Sequence, residues 1–180
     1  HRAVATPVTL TARTSTADHY NLSGLESLPG KVTTYTGRIE GDFQLKDKRL
    51  PAPEFLDLKP GARVMFVKND SGHRWVNGSL GTVTRLEVDS VFVRLDESQI
   101  EYPATTASWE SIRYEWDNET KRIQASVIGT YSQIPLTLAW ATTIHKAQGL
   151  TLSDVRIDLG AGAFSEGQTY VALSRAKSMD

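Results

Sequence analysis

The sequence predicts an α/β protein with a small antiparallel β-barrel inserted into it. Three observations carry this. Residues 7–28 read as a strand followed by a helix. Residues 136–178 read as helix, strand, helix. Between about residue 70 and residue 132 the helical period disappears, and short alternating strands follow one another between turn signals. The expected division is an α/β domain built from 1–70 and 133–180, with the barrel at 71–132.

In the first part, PVTLTA (7–12) alternates Val8 and Leu10 with threonines, which suits a strand. Ser15 or Thr16 can cap a helix running to about Leu28, with Leu22, Leu25 and Leu28 as its buried stripe. Pro29-Gly30 stops it. Arg13 lies where the strand hands over to the helix, the end at which open α/β sheets bind ligands, although an ordinary surface arginine fits as well. KVTTYTGRI (31–39) is β-branched and alternating and predicts one strand. Residues 41–55, polar and proline-bearing, predict a loop. Pro60-Gly61 marks a turn before a strand over Arg63–Lys68, bounded beyond by Asn69-Asp70.

From about residue 70, GSLGTVTRLEV, SVFVRLDE, IRYEW and RIQASVIGTYS predict short strands. Asn77-Gly78, Val88-Asp89-Ser90 and Asp117-Asn118 mark the turns between them. A small antiparallel barrel of roughly 60 residues accommodates this pattern. Trp109 and Trp116 are expected to pack in or against it; the alternative is stacking on nucleic-acid bases.

The stretch LAWATTIHKAQGLTL (138–152) organises the last part. On a helix over 136–148, Leu136, Trp140, Ile144 and Ala147 form an apolar stripe, and Thr142, His145 and Lys146 share the opposite face. Gly149 follows, where a helix end wants a residue tolerant of positive φ. Such a face suits a polyanion, and equally a solvated helix surface. VRIDLG (155–160) alternates Val155, Ile157 and Leu159 and predicts a strand. SEGQTYVALSRAKS (165–178) predicts a second helix. In it Ser165 and Gln168 are ordered as a capping box, and Gln168 and Arg175 lie on one face.

Composition sets the outer bounds. The 180 residues suffice for one domain carrying a small inserted one. Hydrophobic content of 39% and charged content of 23% suit a folded soluble protein. The net charge of −1 gives no general basic field, so any nucleic-acid contact must come from local groups. There is no cysteine for disulfides or thiolate metal sites, and the four histidines lack ligand spacing, so no zinc is expected. No apolar run approaches the roughly 18 residues of a membrane helix, and no stretch reads as a signal peptide. A chain starting at His1 and ending in a charged segment at Asp180 reads as a fragment of a longer protein.

LAWATTIHKAQGLTL resembles motif V, and GQTYVALSRAKS resembles motif VI, of superfamily 1B DNA helicases of the RecD/Dda/Pif type. TLTARTSTADHYN resembles motif IV more loosely. The likeness extends through VNGSLGTV and PGARVMFVKND, and so adds Lys68 and Asn69 to the residues expected at DNA. It implies a RecA-like second motor domain, with an SH3-like subdomain where the barrel is predicted. It implies ATP and Mg²⁺, bound mainly by a first RecA-like domain outside this sequence, and single-stranded DNA as partner. It implies a cytoplasmic monomer (nucleoid-associated in a bacterium) moving 5′ to 3′. Arg175, and secondly Arg13, would act as arginine fingers in catalysis. Gln148, Gly149, Gln168 and Arg175 would face the nucleotide. Thr142, Thr143, His145 and Lys146 would face DNA, with Thr143 nearer the motif position and Thr142 nearer the centre of the polar face.

Two segments imitate nucleotide motifs and are set aside. GLESLPGKV (24–32) has five residues between its glycines where a phosphate loop has four, and Val32 stands where the metal-binding hydroxyl belongs. VFVRLDE (91–97) ends like a Walker B strand, but Arg94 alternates with Val93 and Leu95 as in a half-exposed hairpin. The resemblance therefore implies one wall of an ATP cleft, and with no phosphate loop in it the sequence should not hydrolyse ATP by itself. The alternatives are a non-catalytic nucleic-acid- or protein-binding module using the barrel, and a purely structural interaction module.

Overall fold

The computed structural model describes residues 7–45, 49–118, 121–149 and 155–158. It opens with β1 (Val8–Thr11), buried at every position, followed by α1 (Thr14–Ser27). The cap of α1 is Arg13, in extended conformation and without a side-chain capping bond, so Ser15 and Thr16 lie inside the first turn instead of capping it. The expected leucine stripe is also displaced: Leu25 is buried and Leu28 packs on the core, but Leu22 is 56% exposed. The reason is angular. Ala17, Asn21, Gly24, Leu25 and Leu28 fall within one sector at about 100° per residue, and Leu22 stands roughly 110° from its middle. A face containing Ala, Asn and Gly does not read as apolar in the sequence. Gly30, with φ of +89°, ends the segment as expected.

The strand expected over 31–39 is two strands serving different sheets. β2 (Thr33–Thr36) and β3 (Arg38–Gly41) separate at Gly37, where a Cβ would strike the Tyr131 side chain. β4 (Phe55–Leu58), placed at the edge of a predicted loop, pairs antiparallel with β2. β5 (Arg63–Phe66) follows the Pro60-Gly61 turn and is buried throughout. Then come β6 (Leu80–Leu86), β7 (Ser90–Leu95), β8 (Glu101–Thr105), β9 (Ala107–Asp117) and β10 (Arg122–Gln133). β11 (Leu136–Leu138), β12 (Ala141–Thr143) and β13 (Val155–Asp158) complete the elements among the described residues.

The helix expected over 136–148 is not formed. β11 pairs antiparallel with β5 and β12 pairs parallel with β1, and only the turn after Thr143 is helical in its hydrogen bonding. Short apolar runs are ambiguous between helix and strand, and tertiary partners decide. β13, as predicted, is a strand, parallel to β1 on its other side. The sheet β12-β1-β13 is thus parallel, and α1 packs on it as in an α/β unit.

The expected closed barrel over 71–132 is not found. Among the described residues, β6, β7 and β8 belong to an open antiparallel sheet of order β11-β5-β6-β7-β8, which borrows β5 and β11 from outside that range. Pro103 in β8 suits an edge strand, since it cannot donate to a further ladder. β9 and β10 form a long hairpin in a separate sheet with β3. Trp109 packs as expected, its ring 5.8 Å from that of Tyr131. Trp116 does not: it is 58% exposed on the distal half of the hairpin. The two tryptophans are an odd number of residues apart in one strand, so they must face opposite ways.

One core joins Leu25, Tyr35, Leu56, Leu58, Val64 and Phe66 with Val83, Val91 and Val93, so α1 and the five-stranded sheet share it. A second, small cluster joins Leu10, Ile144 and Ala147, with Leu80, Val155 and Ile157 packed against it.

Candidate functional site

The parallel sheet aligns three strand ends. Thr11 is in register with Thr143 on one side and Asp158 on the other, so Arg13 and residues 144–149 emerge from the same, C-terminal edge. That edge is where open α/β sheets bind ligands. The turn is built from its first residue. The Thr143 Oγ1 accepts the Lys146 amide at 3.3 Å, and its carbonyl accepts the Ala147 amide at 3.0 Å. Thr143 therefore caps a single α-turn. Ile144 and Ala147, both buried, pin the turn to Leu10, and the Ile144 amide donates to the Thr11 carbonyl at 2.9 Å. His145, Lys146, Gln148 and Gly149 are left exposed. Gly149 has φ of +80°, so the expectation of positive φ there holds although no long helix precedes it.

This arrangement changes the roles expected of the two threonines. Thr142 and Thr143 are both buried in β12, so neither stands on an exposed helix face with His145 and Lys146. Arg13 is exposed at the head of α1, where its carbonyl takes the Thr11 hydroxyl at 2.9 Å. The exposed groups gathered at this edge are thus a guanidinium, an imidazole, an ammonium and an amide. They suit an anionic ligand.

Lys68 and Asn69 sit elsewhere, beyond β5. The Lys68 ammonium bonds the Ser108 carbonyl and lies 5.1 Å from the centroid of the Trp109 ring. The Asn69 Oδ1 accepts the Asn77 amide at 2.7 Å and braces the intervening turn. In that turn Arg74 grips Asp70 through Nε and Nη2, both at 2.8 Å, and holds the carboxyl well below its usual range, at about 2. Together these residues line a polar groove of about 310 Å³ with Thr105, Thr106 and Ser108. Gln168 and Arg175 lie outside the described residues.

Several residues that organise the edge carry no sequence signal. Tyr20 on α1 donates to Asp158 Oδ2 at 2.8 Å, and that hydrogen bond to the carboxylate raises the phenol pKa. Asn21 bonds the backbone of Ala141. Each pair is separated by more than a hundred residues, beyond any local pattern. The Asp96 carboxylate, the first acid of the Asp-Glu pair that ends the Walker-like VFVRLDE, is held by both terminal nitrogens of Arg63, one at 2.6 Å. That engagement with a buried guanidinium accounts for the acid without a metal. Among the described residues no group of three or more His, Asp or Glu side chains is placed to hold an ion.

No protein-family model matches the chain. Among curated proteins, the ATP-dependent DNA helicase Pif1 of Bdellovibrio bacteriovorus is 40% identical over 144 residues, 80% of this chain and 30% of that one. Human ATP-dependent DNA helicase PIF1 is 38% identical over 86% of this chain and 23% of its own length. The chain therefore spans less than a third of these relatives. Among solved structures, unliganded Pif1 from Bacteroides sp. superposes over 97% of this chain and 39% of its own, with a TM-score of 0.87 and 33% identity. Bacteroides Pif1 bound to single-stranded DNA superposes over 99% of this chain and 41% of its own, with a TM-score of 0.75 and 32% identity.

Proposed function

This chain belongs, over most of its own length, with the Pif1-type helicases of superfamily 1B, and on that premise we propose that it is the C-terminal motor half of an ATP-dependent DNA helicase. The observation that carries this reading is the C-terminal edge of the parallel sheet. Arg13 follows β1 at the head of α1, and His145, Lys146 and Gln148 follow the parallel strand β12, so all four leave the sheet at that edge and are exposed.

In this reading His145 and Lys146 hold phosphates of single-stranded DNA, and Thr143 acts by shaping the turn that presents them. Such contacts position a strand without reading its bases. Gln148 and Gly149 end the same turn and face the nucleotide, together with Gln168, Arg175 and Arg13. One short turn then touches both ligands, so closing the cleft on ATP shifts the grip on DNA. Arg175 and Arg13 stabilise the charge that builds on the transferring phosphoryl group. The motif resemblance assigns the metal and the phosphate loop to a first motor domain, the intramolecular partner of this one. The monomer and its 5′-to-3′ polarity follow from the motif resemblance. Residues 1–70 and 133–180 form the motor unit and 71–132 the SH3-like accessory unit, built onto β5 and β11.

A second reading, a non-catalytic protein-binding module, is favoured by one observation. On the distal half of the β9–β10 hairpin, Ile112, Tyr114 and Trp116 face Val127, Ala125 and Ile123, an exposed apolar face. DNA-stimulated ATP hydrolysis separates the two. In the helicase carrying this chain, Arg175→Ala should lower kcat by about 10³ or more while ATP affinity stays within a few-fold. Normal turnover in that variant would remove Arg175 from the cleft, and no DNA-stimulated turnover in the wild type would favour the binding module.

A further inference from the structure

Among the described residues β12 is an edge strand of only three residues, yet it positions everything on the turn that follows. Its inner edge is satisfied by β1: Thr9 N–H donates to the Trp140 carbonyl at 2.9 Å, and the ladder continues through Leu10 and Thr11. Strand alternation sends the N–H and C=O of Ala141 to the outer edge, where no strand lies among the described residues. Asn21 takes that place. Its Nδ2 donates to the Ala141 carbonyl at 3.0 Å, and its Oδ1 accepts the Ala141 N–H at 2.9 Å. A side-chain amide presents a donor and an acceptor side by side, as a neighbouring strand would. One turn further along α1, Gly24 lets the helix lie directly on Trp140, where a Cβ would come to 2.4 Å from the ring. The chain crosses there from the five-stranded sheet, held at Ala139 by the Arg63 carbonyl at 2.9 Å, into the parallel sheet.

We propose that Asn21 is a positioning residue for DNA binding: its amide closes the open edge of β12 at Ala141 and thereby fixes where His145 and Lys146 stand. This rests on the reading of that turn as the phosphate contact. Asparagine is a poor residue for a helix interior, so its place on the sheet-facing side of α1 is explained by what it binds rather than by the helix. Asp at this position keeps the acceptor for the Ala141 amide and turns a repelling oxygen to its carbonyl. Leu keeps the helix and supplies neither group.

The test is a double-mutant cycle in the helicase carrying this chain. Binding to mixed-sequence single-stranded oligonucleotides is measured for wild type, Asn21→Leu, Lys146→Ala and the double variant, with thermal melting alongside. Asn21→Leu is expected to melt cooperatively and to weaken DNA binding about tenfold. Lys146→Ala should then cost clearly less in the Asn21→Leu background than in wild type, because the ammonium is no longer held in place. Where Asn21→Leu does not fold, Asn21→Asp is used in its place, with the same sign and a smaller effect. Equal losses from Lys146→Ala in both backgrounds would overturn the positioning role of Asn21. No loss from Lys146→Ala in either background would instead overturn the phosphate reading on which that role rests.

Discussion

Replacing Asp96 by Asn removes a negative charge just past β7 and leaves its partner in place. The Arg63 side chain is 6% exposed and that of Asp96 20%, and the two meet in a two-pronged contact with one bond of 2.6 Å. Breaking a buried pair by neutralising one member typically costs about 3–5 kcal/mol, since the other charge stays buried. Asn retains one acceptor, and Asp96 is partly solvated, so about 2–3 kcal/mol is expected here. For a chain of 180 residues that is a fall of about 5–10 °C in Tm. Thermal and urea melts of wild type and Asp96→Asn measure it directly. An unchanged midpoint would refute the assignment of Asp96 as a structural ion pair. If Asp96→Asn also abolished ATP turnover in the helicase without loss of stability, Asp96 would be a metal-binding acid after all.

Two further outcomes follow from the same packing. Arg74 holds the Asp70 carboxyl at about 2 against an ordinary 3.8, so the stability this contributes is complete above pH 4 or so and is lost as pH falls toward 2. Solvent screening at the half-exposed Arg74 limits it to about 1 kcal/mol. Asp70→Asn should therefore destabilise at neutral pH and show a correspondingly flatter decline in acid urea melts; an unchanged pH profile would contradict the pairing. Trp116→Ala should change stability by less than about 0.5 kcal/mol, whereas Trp109→Ala, which strips the ring from Tyr131, should cost about 2 kcal/mol or more. Equal losses in denaturant titrations would contradict the opposite facing of the two rings.

What was legible in the sequence was what short-range chemistry decides. β1, the helix after it, the stop at Gly30, the turn before β5, β13 and the positive φ at Gly149 all follow from local residue choice. The positions that misled are those settled by distant partners. Leu136 to Thr143 became strand because β5 and β1 offered edges to pair with, and the helix-like spacing of Leu136, Trp140 and Ile144 was coincidental to it. α1 turns Asn21 and Gly24 toward the sheet instead of Leu22, because one has a bond to make and the other admits Trp140. Four strands of the inserted region were readable from its turns; β8, which carries Pro103, was not, and neither was the failure to close, since that depends on which strand each edge meets. At the candidate site His145, Lys146 and Gln148 were singled out by residue type and by resemblance to motif V, and the structure leaves them exposed. The clamp from Asn21 was not singled out, because its partner is a backbone.

The claim that the turn after β12 holds a DNA strand by its phosphates is tested most directly by salt. Each phosphate neutralised on a single strand contributes about −0.7 to the slope of log K against log salt. A salt titration of fluorescence anisotropy on mixed-sequence oligonucleotides, for the helicase carrying this chain and its Lys146→Ala variant, reads that slope. Lys146→Ala should weaken binding to all sequences alike and flatten the slope by about 0.7. Unchanged affinity and slope would show that the exposed face of this turn meets only solvent.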